Sequence, residues 1–492
     1  WWCGEGPARA EVIENMKDLV IKPTFPGGSS EVIFGDQLAD DQLEALARRI
    51  ESDPSAYVAQ ELVKLSRAPA WSGGQRRKLM TRVMGLRVYA AITPEGYKVL
   101  PGGLARVAGA ENTRILTMQK GGSSKDTWVL SDGPVATFSL LQNTVRVGDL
   151  IEETGTLSSR LAENLFWFGR YGERCDAVAR LARLALSRLS EGRRTERSGA
   201  LAMMLHLAAG AGLVEPEVVN APVAKAELDL FRAVLDRRAE CGLAANLQRL
   251  TWCATQAREH LSLDHWHALK RLSAELDTAR EGVTDVSGLL EFLDEALTTF
   301  VSLSGFAMDN MTRDMGWRLH IVGRRIERLD NLAGTLARFL RRYVDITGPL
   351  QRELSVEVLL ELCDSIITYR TRYRAQPELL PAVHMLTTDD GNPHALAFQV
   401  RMLSNYMTRL EADRGEMGIA ELEKAFADVQ AFAWGKLEAA RPAAERSEAS
   451  LQLARLLDQL ASAGRGLADR LAMRFFSHVD RTGQTGQATF AA

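Results

Sequence analysis

Two long segments of the chain repeat one motif in the same helical phase, and this repeat constrains the fold more than any other feature. In residues 158–189 and 319–340, apolar or small side chains recur with gaps of three and four residues. Such spacing predicts long helices that pack lengthwise against other helices. Both segments carry Gly-Arg-x-x-Glu-Arg, and aligning Gly169 with Gly323 keeps the two apolar seams in phase. The repeat distance of 154 residues is too long for a solenoid unit, so the sequence predicts two similar halves of one helical domain.

The first segment also carries local signals. Small residues, Gly172 among them, lie in the middle of its seam, which predicts the close approach of a neighbouring backbone. Ser158 or Ser159 is suited to cap the helix. The arginines of each Gly-Arg-x-x-Glu-Arg motif have two interpretations. They form inter-helical ion pairs with Glu173 and Glu327 that fix the register, or they belong to a polar active-site pocket. Four further polar residues are candidates for such a pocket: Glu163, Asp364, Tyr369 and Arg370.

Composition narrows the class of protein. A chain of 492 residues predicts two or three domains. A net charge of −3 gives no reason to expect binding to nucleic acid or to an anionic membrane surface. The five cysteines are scattered without a Cys-x-x-Cys pair, which predicts free thiols and a cytoplasmic location. No apolar run reaches membrane-spanning length, and no signal peptide is visible. The sequence starts at Trp1 without a methionine, so we expect an N-terminally truncated form.

Residues 1–142 have a different sequence pattern from the rest of the chain, with short predicted strands and turns. This pattern predicts an α+β module with an antiparallel sheet. Residues 19–21, 57–63 and 81–92 are predicted strands, residues 40–50 are a predicted amphipathic helix, and residues 94–100 predict a turn with the returning strand of a hairpin.

Phosphate-binding chemistry is concentrated in this module. Lys22 ends the first strand, and a turn of small residues follows it: Gly27, Gly28, Ser29 and Ser30. Backbone N–H groups of such a turn can hold phosphate oxygens, and guanidinium groups on neighbouring strands can hold a phosphate or a carboxylate. The candidates for the latter are Arg82, Arg87 and Arg106. A plain turn with surface arginines is the alternative interpretation.

The order of these signals, together with residues 100–107 and 123–130, resembles the circularly permuted ATP-grasp family over residues 1–132. That family is related to glutathionylspermidine synthetase and is regarded as a family of peptide or amide ligases. The resemblance implies that Lys22 and the Gly/Ser turn bind the triphosphate and that a hinge contacts adenine through its backbone. The hinge residues are Gln60, Glu61, Leu62 and Val63. Arg87 and Arg106 are then the catalytic candidates, and ATP and Mg²⁺ are the implied cofactors.

Metal ligands remain unassigned by this resemblance. The family places its acidic and asparagine ligands before the segment that begins here, and residues 1–141 contain no Glu-x-Asn or Asp-x-Glu pair on a predicted strand. We therefore expect weak nucleotide binding and no turnover from the chain as it stands.

Residues 157–480 resemble the alpha-E domain, a helical family often fused to, or encoded beside, the permuted ATP-grasp protein. Besides the repeated motif, the resemblance is carried by residues 159–167, by 363–365 with 369–370, and by 392–399. Residues 143–156 are a predicted linker, and residues 481–492 a predicted disordered tail.

Two functions stay open at this point. One is an ATP-dependent carboxylate–amine ligase acting on small-molecule or peptide carboxylates and amines. The other is a non-catalytic helical scaffold that docks a separate ligase and its substrate, with a protein partner on the helical domain. The sequence leaves the acyl donor, the amine acceptor and the oligomeric state undefined.

Overall fold

The structure, a computed structural model, describes residues 1–24, 32–71, 79–93, 96–109, 116, 122–134, 157–192, 199–414 and 418–476. The chain divides into two compact units, residues 1–152 and 153–492. The first combines helices with β-sheet and the second is helical, which confirms the predicted fold class. The predicted linker and the predicted tail lie outside the described residues.

The described strands of the first unit all pair antiparallel. They are β1 (Leu19–Pro23), β2 (Ile33–Phe34), β3 (Tyr57–Glu61), β4 (Arg67–Trp71), β5 (Leu79–Arg87), β6 (Ala90–Thr93), β7 (Gly96–Val99), β8 (Gly102–Val107) and β9 (Ser123–Trp128). They form a three-stranded sheet of order β2-β1-β3, a four-stranded sheet of order β4-β5-β8-β9, and the predicted β6–β7 hairpin. One strand prediction is wrong. Residues 81–92 are not one strand, because after Arg87 the chain leaves its pairing with β8 and Ala90–Thr93 pairs with β7 instead.

A small core holds the three-stranded sheet against the two described helices of this unit, α1 (Gly6–Glu14) and α2 (Asp40–Ser52). Apolar side chains from the sheet and from both helices share this core: Cys3, Val12, Met16, Leu19, Ile21, Leu46, Ile50 and Ala59. The alternation of buried side chains in α2 follows the predicted amphipathic pattern. The core therefore fixes the strand that carries Lys22.

The second unit is a bundle of helices around two long ones, α3 (Ser159–Gly192) and α9 (Met315–Tyr343). The other described helices are α4 (Gly199–Gly210), α5 (Val223–Leu235), α6 (Leu243–Gln256), α7 (Leu263–Gly282), α8 (Val286–Asp309), α10 (Pro349–Leu362), α11 (Ile366–Tyr373), α12 (Leu379–Thr388), α13 (Leu396–Arg414), α14 (Ala420–Gln430) and α15 (Ala443–Leu471). Among the residues that the structure describes, no helix combines the length and the apolarity that a membrane crossing needs.

Helices α3 and α9 lie at the centre because both predicted seams are buried. Every predicted seam residue of α9 is buried, and in α3 only Leu161 and Gly172 remain partly accessible. The two helices pack against each other. Helices α6 and α8 cover α3, and helices α13 and α15 cover α9. The Ser158 hydroxyl accepts a hydrogen bond from the backbone N–H of Leu161, which is the cap that the sequence predicts.

The chain turns sharply between α10 and α11. Asp364 has φ of 49°, the left-handed region that interrupts a right-handed helix. The backbone N–H of Ser365 donates to the carbonyl of Leu360, and that of Asp364 to the carbonyl of Glu361. The break therefore places Asp364 at a bend between two helices and not on the face of either helix.

Candidate functional site

Helices α3 and α9 touch through their backbones at the two glycines of the repeated motif. A Cβ atom on Gly169 would lie 2.1 Å from the carbonyl oxygen of His320, and one on Gly323 would lie 2.3 Å from that of Phe166. Phe166 and His320 are themselves 154 residues apart, so the two contacts are reciprocal. The duplicated segments are therefore related by a local two-fold arrangement. The close approach occurs at Gly169 and not at Gly172, where the sequence predicts it, since a Cβ on Gly172 would meet only Leu250 at 3.9 Å.

The glutamates of the motif exchange arginines across this contact. Glu327 accepts from Nε of Arg170 at 2.6 Å and from Nε of Arg174 at 2.7 Å. Glu173 accepts from Nε of Arg324 and, at 2.7 Å, from Nε of Arg328. The side chains of Glu173 and Glu327 are only 6% and 3% exposed. The predicted inter-helical ion pairs are thus present, and each carboxylate depends on the opposite helix for its charge partners.

The two halves of this arrangement differ in what surrounds the arginines. The guanidinium of Arg170 lies over the ring of Trp167 at 5.0 Å, and that of Arg174 lies over Tyr171 at 5.4 Å. Such stacking stabilises a guanidinium and covers one of its faces. The repeat puts non-aromatic residues at the positions of these rings, Ile321 and Arg325. Arg324 and Arg328 instead line a cavity.

Two cavities meet the charged network. The smaller has a volume of about 310 Å³ and lies between α3, α6, α8 and α9. The larger, of about 460 Å³, extends along the other side of α3 and α9 towards α15. Both are lined by one set of polar residues, Glu173, Asp176, Arg180, Arg328 and His394. We call this set the shared polar wall.

Two loops complete the shared polar wall. Asp364 contacts Arg180 at 3.4 Å and His394 at 3.7 Å. Asn392 holds the bend at Asp364 in place. Its side-chain N–H donates to the hydroxyl of buried Ser365 at 3.2 Å, and its side-chain oxygen accepts from the backbone N–H of His394. Segments 363–365 and 392–399, which the sequence marks as motifs, therefore meet beside Arg180 and line the same cavity as residues of the Gly-Arg-x-x-Glu-Arg pair.

Of the four further polar residues proposed for a pocket, only Asp364 lines either of these cavities. The hydroxyl of Tyr369 donates to the carbonyl of Gln376 at 2.9 Å, and Arg370 donates to Glu357 at 2.7 Å. Tyr369 thus anchors the loop before α12, and Glu163 lies on α3 nearer its N-terminus. Sequence reasoning missed Asp176, Arg180 and His320, although the first two follow Gly172 at helical spacing on the same face of α3.

Burial and charge shape the protonation of this region. Burial alone would raise the pKa of Glu173, but Arg328 and Arg324 together hold it at about 2, below its ordinary value of 4.5. The stabilisation by this carboxylate is therefore complete above about pH 4.5 and is lost as the pH falls towards 2. Burial lowers the pKa of His320 to about 3 and, with help from Arg328, that of His394 to about 4. At neutral pH both imidazoles are uncharged.

We expect acidification from about pH 6.5 to 5 to lower the melting temperature of the chain. Burial lowers the pKa of His265 and His320 to about 4 and 3, from an ordinary value of 6.5. The unfolded chain therefore takes up protons first in this range, and proton uptake favours unfolding. Circular dichroism melts at a series of pH values measure the slope. His320→Gln should flatten it, whereas a slope of zero in the wild type would contradict the burial of uncharged imidazoles.

In the first unit, the structure brings two predicted nucleotide-binding residues together. Lys22 and Gln60 lie on the same face of the β1–β3 pair, where Lys22 is opposite Val58 and Val20 is opposite Gln60. The Lys22 ammonium donates to the Gln60 side-chain oxygen at 2.6 Å. Among the described residues this neutral amide is the only side-chain partner of Lys22, so the lysine charge is not neutralised by a carboxylate there. Such a lysine fits an anionic phosphate.

The remaining predicted residues are distributed as follows. Glu61 ends β3, the backbone N–H of Leu62 donates to the carbonyl of Asp18 at 3.2 Å, and Val63 is exposed. Arg87 and Arg106 share one face of the second sheet, because Arg87 is opposite Leu104 and Arg106 is opposite Gly85. The turn Gly27, Gly28, Ser29 and Ser30 lies outside the described residues. In the described ranges no three His, Cys, Asp or Glu side chains form a metal-binding group, so a divalent metal has no fitted site there.

Comparison with known proteins follows the same division of the chain. Residues 157–476 match the Alpha-E family, described as a predicted alpha-helical domain with a conserved ER motif. Residues 1–108 match a family described as circularly permuted ATP-grasp type 2. Glu-Arg occurs in both copies of the repeat, at residues 173–174 and 327–328.

Individual relatives show the same pattern. Uncharacterized protein Rv2567 of Mycobacterium tuberculosis and uncharacterized protein Mb2597 of Mycobacterium bovis are each 28% identical over 440 residues, covering 84% of this chain and 48% of the relative. Uncharacterized protein sll0335 of Synechocystis is 33% identical over 128 residues, covering 26% of each chain. The chain thus spans about half the length of the first two curated relatives.

Proposed function

The chain belongs to the Alpha-E family, and from that premise we propose that it is part of an ATP-dependent carboxylate–amine ligase whose nucleotide-binding module lies in residues 1–142. The observation that carries the proposal is the Lys22–Gln60 pair. A lysine whose described partner is a neutral amide lies at the end of the strand that the ATP-grasp resemblance assigns to phosphate binding. Gln60 holds the ammonium in place without neutralising it.

The proposed reaction joins a carboxylate to an amine at the expense of ATP. The carboxylate oxygen attacks the γ-phosphorus, ADP leaves, the amine attacks the resulting acyl phosphate, and phosphate leaves as the amide forms. In this scheme Lys22 and the turn of residues 27–30 hold the phosphates, and residues 60–63 contact the adenine. Arg87 and Arg106 hold the transferred phosphoryl group or the carboxylate. The family implies a divalent metal, and the described residues contain no fitted site for one.

The chain's own contribution is positioning and charge stabilisation. Lys22 supplies a point charge, whereas the planar guanidinium groups of Arg87 and Arg106 suit two-pronged contacts with phosphate or carboxylate oxygens. Both arginines lie on one sheet face, so one anion can meet both. The scaffold alternative shares the helical unit with this proposal but requires no nucleotide.

We expect Lys22→Ala to weaken binding of ATP by the full chain about tenfold or more, because a charge-assisted contact with a phosphate is lost. Arg87→Ala should weaken it as well. Fluorescence titration with a labelled ATP analogue, competed by unlabelled ATP, measures the affinity. Lys17→Ala is the matched control, since Lys17 lies in the same unit and its ammonium already contacts Asp40 at 2.7 Å.

The titration separates the two functions. Equal affinity of the wild type, Lys22→Ala and Arg87→Ala would contradict the phosphate assignment. If the wild type binds no nucleotide yet captures a partner protein, the scaffold function is supported instead. Melting of each variant shows that lost binding does not reflect unfolding.

A further inference from the structure

The smaller cavity contains polar atoms that the protein itself leaves without partners. Among the described residues, Arg324 contacts a carboxylate only through Nε, so its two terminal nitrogens remain available. His320, one turn earlier on α9, is only 5% exposed, and its Nδ1 has no hydrogen-bond partner in the described part of the chain. A buried polar atom without a partner is costly, so Nδ1 of His320 calls for a ligand or ordered water, and the Arg324 nitrogens add free donors beside it.

Charge limits what that ligand can be. Three arginines line the smaller cavity, Arg180, Arg324 and Arg328, and three carboxylates face them, Glu173, Asp176 and Asp364. Both histidines in the lining are uncharged at neutral pH because burial lowers their pKa values. A wall with balanced charges does not favour a polyanion such as phosphate. It favours a ligand that carries one positive and one negative charge.

The two charges of such a ligand can be bound by different residues of the cavity lining. Arg324 lines the cavity and offers guanidinium nitrogens that Glu173 does not use, which suit a carboxylate. Asp364 is 58% exposed and is only loosely paired, at 3.4 Å and 3.7 Å, which suits an ammonium group. Its left-handed backbone is set by the buried Ser365–Asn392 contact, so the carboxylate is positioned before a ligand arrives.

The opposite wall is apolar. Five side chains form it: Phe168, Leu250, Phe300, Val301 and Leu303. The volume of about 310 Å³ is at the small end of the range for ligand sites, which is about 300–1,000 Å³. It suits a single amino acid and not a nucleotide.

We propose that the smaller cavity of the helical unit binds a free L-α-amino acid with an apolar side chain. The carboxylate contacts Arg324, the ammonium group contacts Asp364, and the side chain packs against Phe168, Phe300 and Leu303. Binding itself does not require ligase activity. That the amino acid is the amine substrate rests on the proposed function.

Isothermal titration of the full chain with L-leucine, without nucleotide, tests the proposal. We expect binding, and we expect it to weaken about tenfold or more for 4-methylpentanoate, which lacks the ammonium group, and for L-leucinamide, which lacks the carboxylate. L-Glutamate should also bind more weakly, because a second carboxylate would face the apolar wall. Absence of binding at millimolar L-leucine, equal affinities for leucine and both analogues, or tighter binding of inorganic phosphate would each overturn the proposal.

Asp364→Asn provides a second test. Asparagine also accepts a left-handed backbone, so the bend persists while the charge is lost. We expect the affinity for L-leucine to fall about tenfold or more. Asp345→Asn is the matched control, because Asp345 is similarly exposed, pairs with Arg342 at 3.4 Å and lines neither cavity. Equal affinity of wild type and Asp364→Asn would refute the assigned contact.

The outcomes for the two proposals are independent. Lys22→Ala should retain leucine binding, and Asp364→Asn should retain ATP binding. A chain that binds leucine but no ATP would contradict the proposed function and support the amino-acid site. A chain that binds ATP but no leucine would support the proposed function and overturn the amino-acid site.

Discussion

Gly169→Ala is expected to destabilise the helical unit by about 3 kcal/mol or more, because it overpacks a contact between backbones. The new methyl group would lie 2.1 Å from the carbonyl oxygen of His320 and 2.9 Å from the backbone nitrogen of Arg324. No side-chain rotation relieves such a clash, so the two helices must separate and their ion pairs must lengthen. Chemical denaturation of the full chain, followed by circular dichroism, measures the loss.

Gly172→Ala is the matched control, three residues further along the same helix. Its methyl group would lie 3.9 Å from Leu250, an ordinary van der Waals distance. Alanine is the better helix former by about 1 kcal/mol, so this variant should be as stable as the wild type or more so. Equal destabilisation by the two substitutions would contradict the close approach at Gly169.

The reciprocal contact adds an internal check on the same prediction. Gly323→Ala should cost about as much as Gly169→Ala, since its methyl group would lie 2.3 Å from the carbonyl of Phe166. Once one methyl group has pushed the helices apart, the second has more room. The double variant should therefore lose less stability than the sum of the two single losses.

Glu327→Ala should destabilise the helical unit by about 3–5 kcal/mol, because it leaves the buried guanidinium of Arg170 and the half-buried guanidinium of Arg174 without a counter-charge. Glu173→Ala should act similarly on Arg324 and Arg328. The large effect comes from the unpaired charges that remain and not from the ion pairs themselves. Denaturation curves of the two variants give the free energies.

An exposed ion pair between α3 and α8 serves as the control. Asp294 on α8 contacts Arg183 of α3 at 2.8 Å, with both side chains substantially exposed. Asp294→Ala should therefore cost no more than about 1 kcal/mol. If the three substitutions have equal effects, the burial of the two glutamates does not determine stability. If Glu173→Ala leaves stability unchanged and abolishes leucine binding, its main role lies in the cavity.

The central architecture could be predicted because helical periodicity is a local property. The seams of α3 and α9, the cap at Ser158 and the repeated motif all follow from side chains within a few turns of one another. The sequence also predicts that the motifs form ion pairs between helices. It does not predict which residues pair, because the pairing of Glu173 with Arg324 depends on the relative position of two segments about 150 residues apart.

The site could be predicted only in fragments for the same reason. The sequence marks segments 363–365 and 392–399 as motifs, but their meeting at Arg180 depends on the left-handed backbone of Asp364 between α10 and α11. Asp364 takes that conformation because Ser365 is held by Asn392, which is a tertiary contact. In the first unit, Lys22 and Gln60 were each assigned to nucleotide, and only the register of β1 and β3 shows that they touch.

The reciprocal exchange of arginines also has a consequence for the order of events during synthesis. Glu173 is 151 and 155 residues away from its two arginines. At translation rates of about 5–20 residues per second, the first helix waits about 10–30 s before its partner leaves the ribosome. During that time its carboxylate stays in water and its apolar seam lacks its main cover, so the nascent chain passes through a state that a chaperone would recognise.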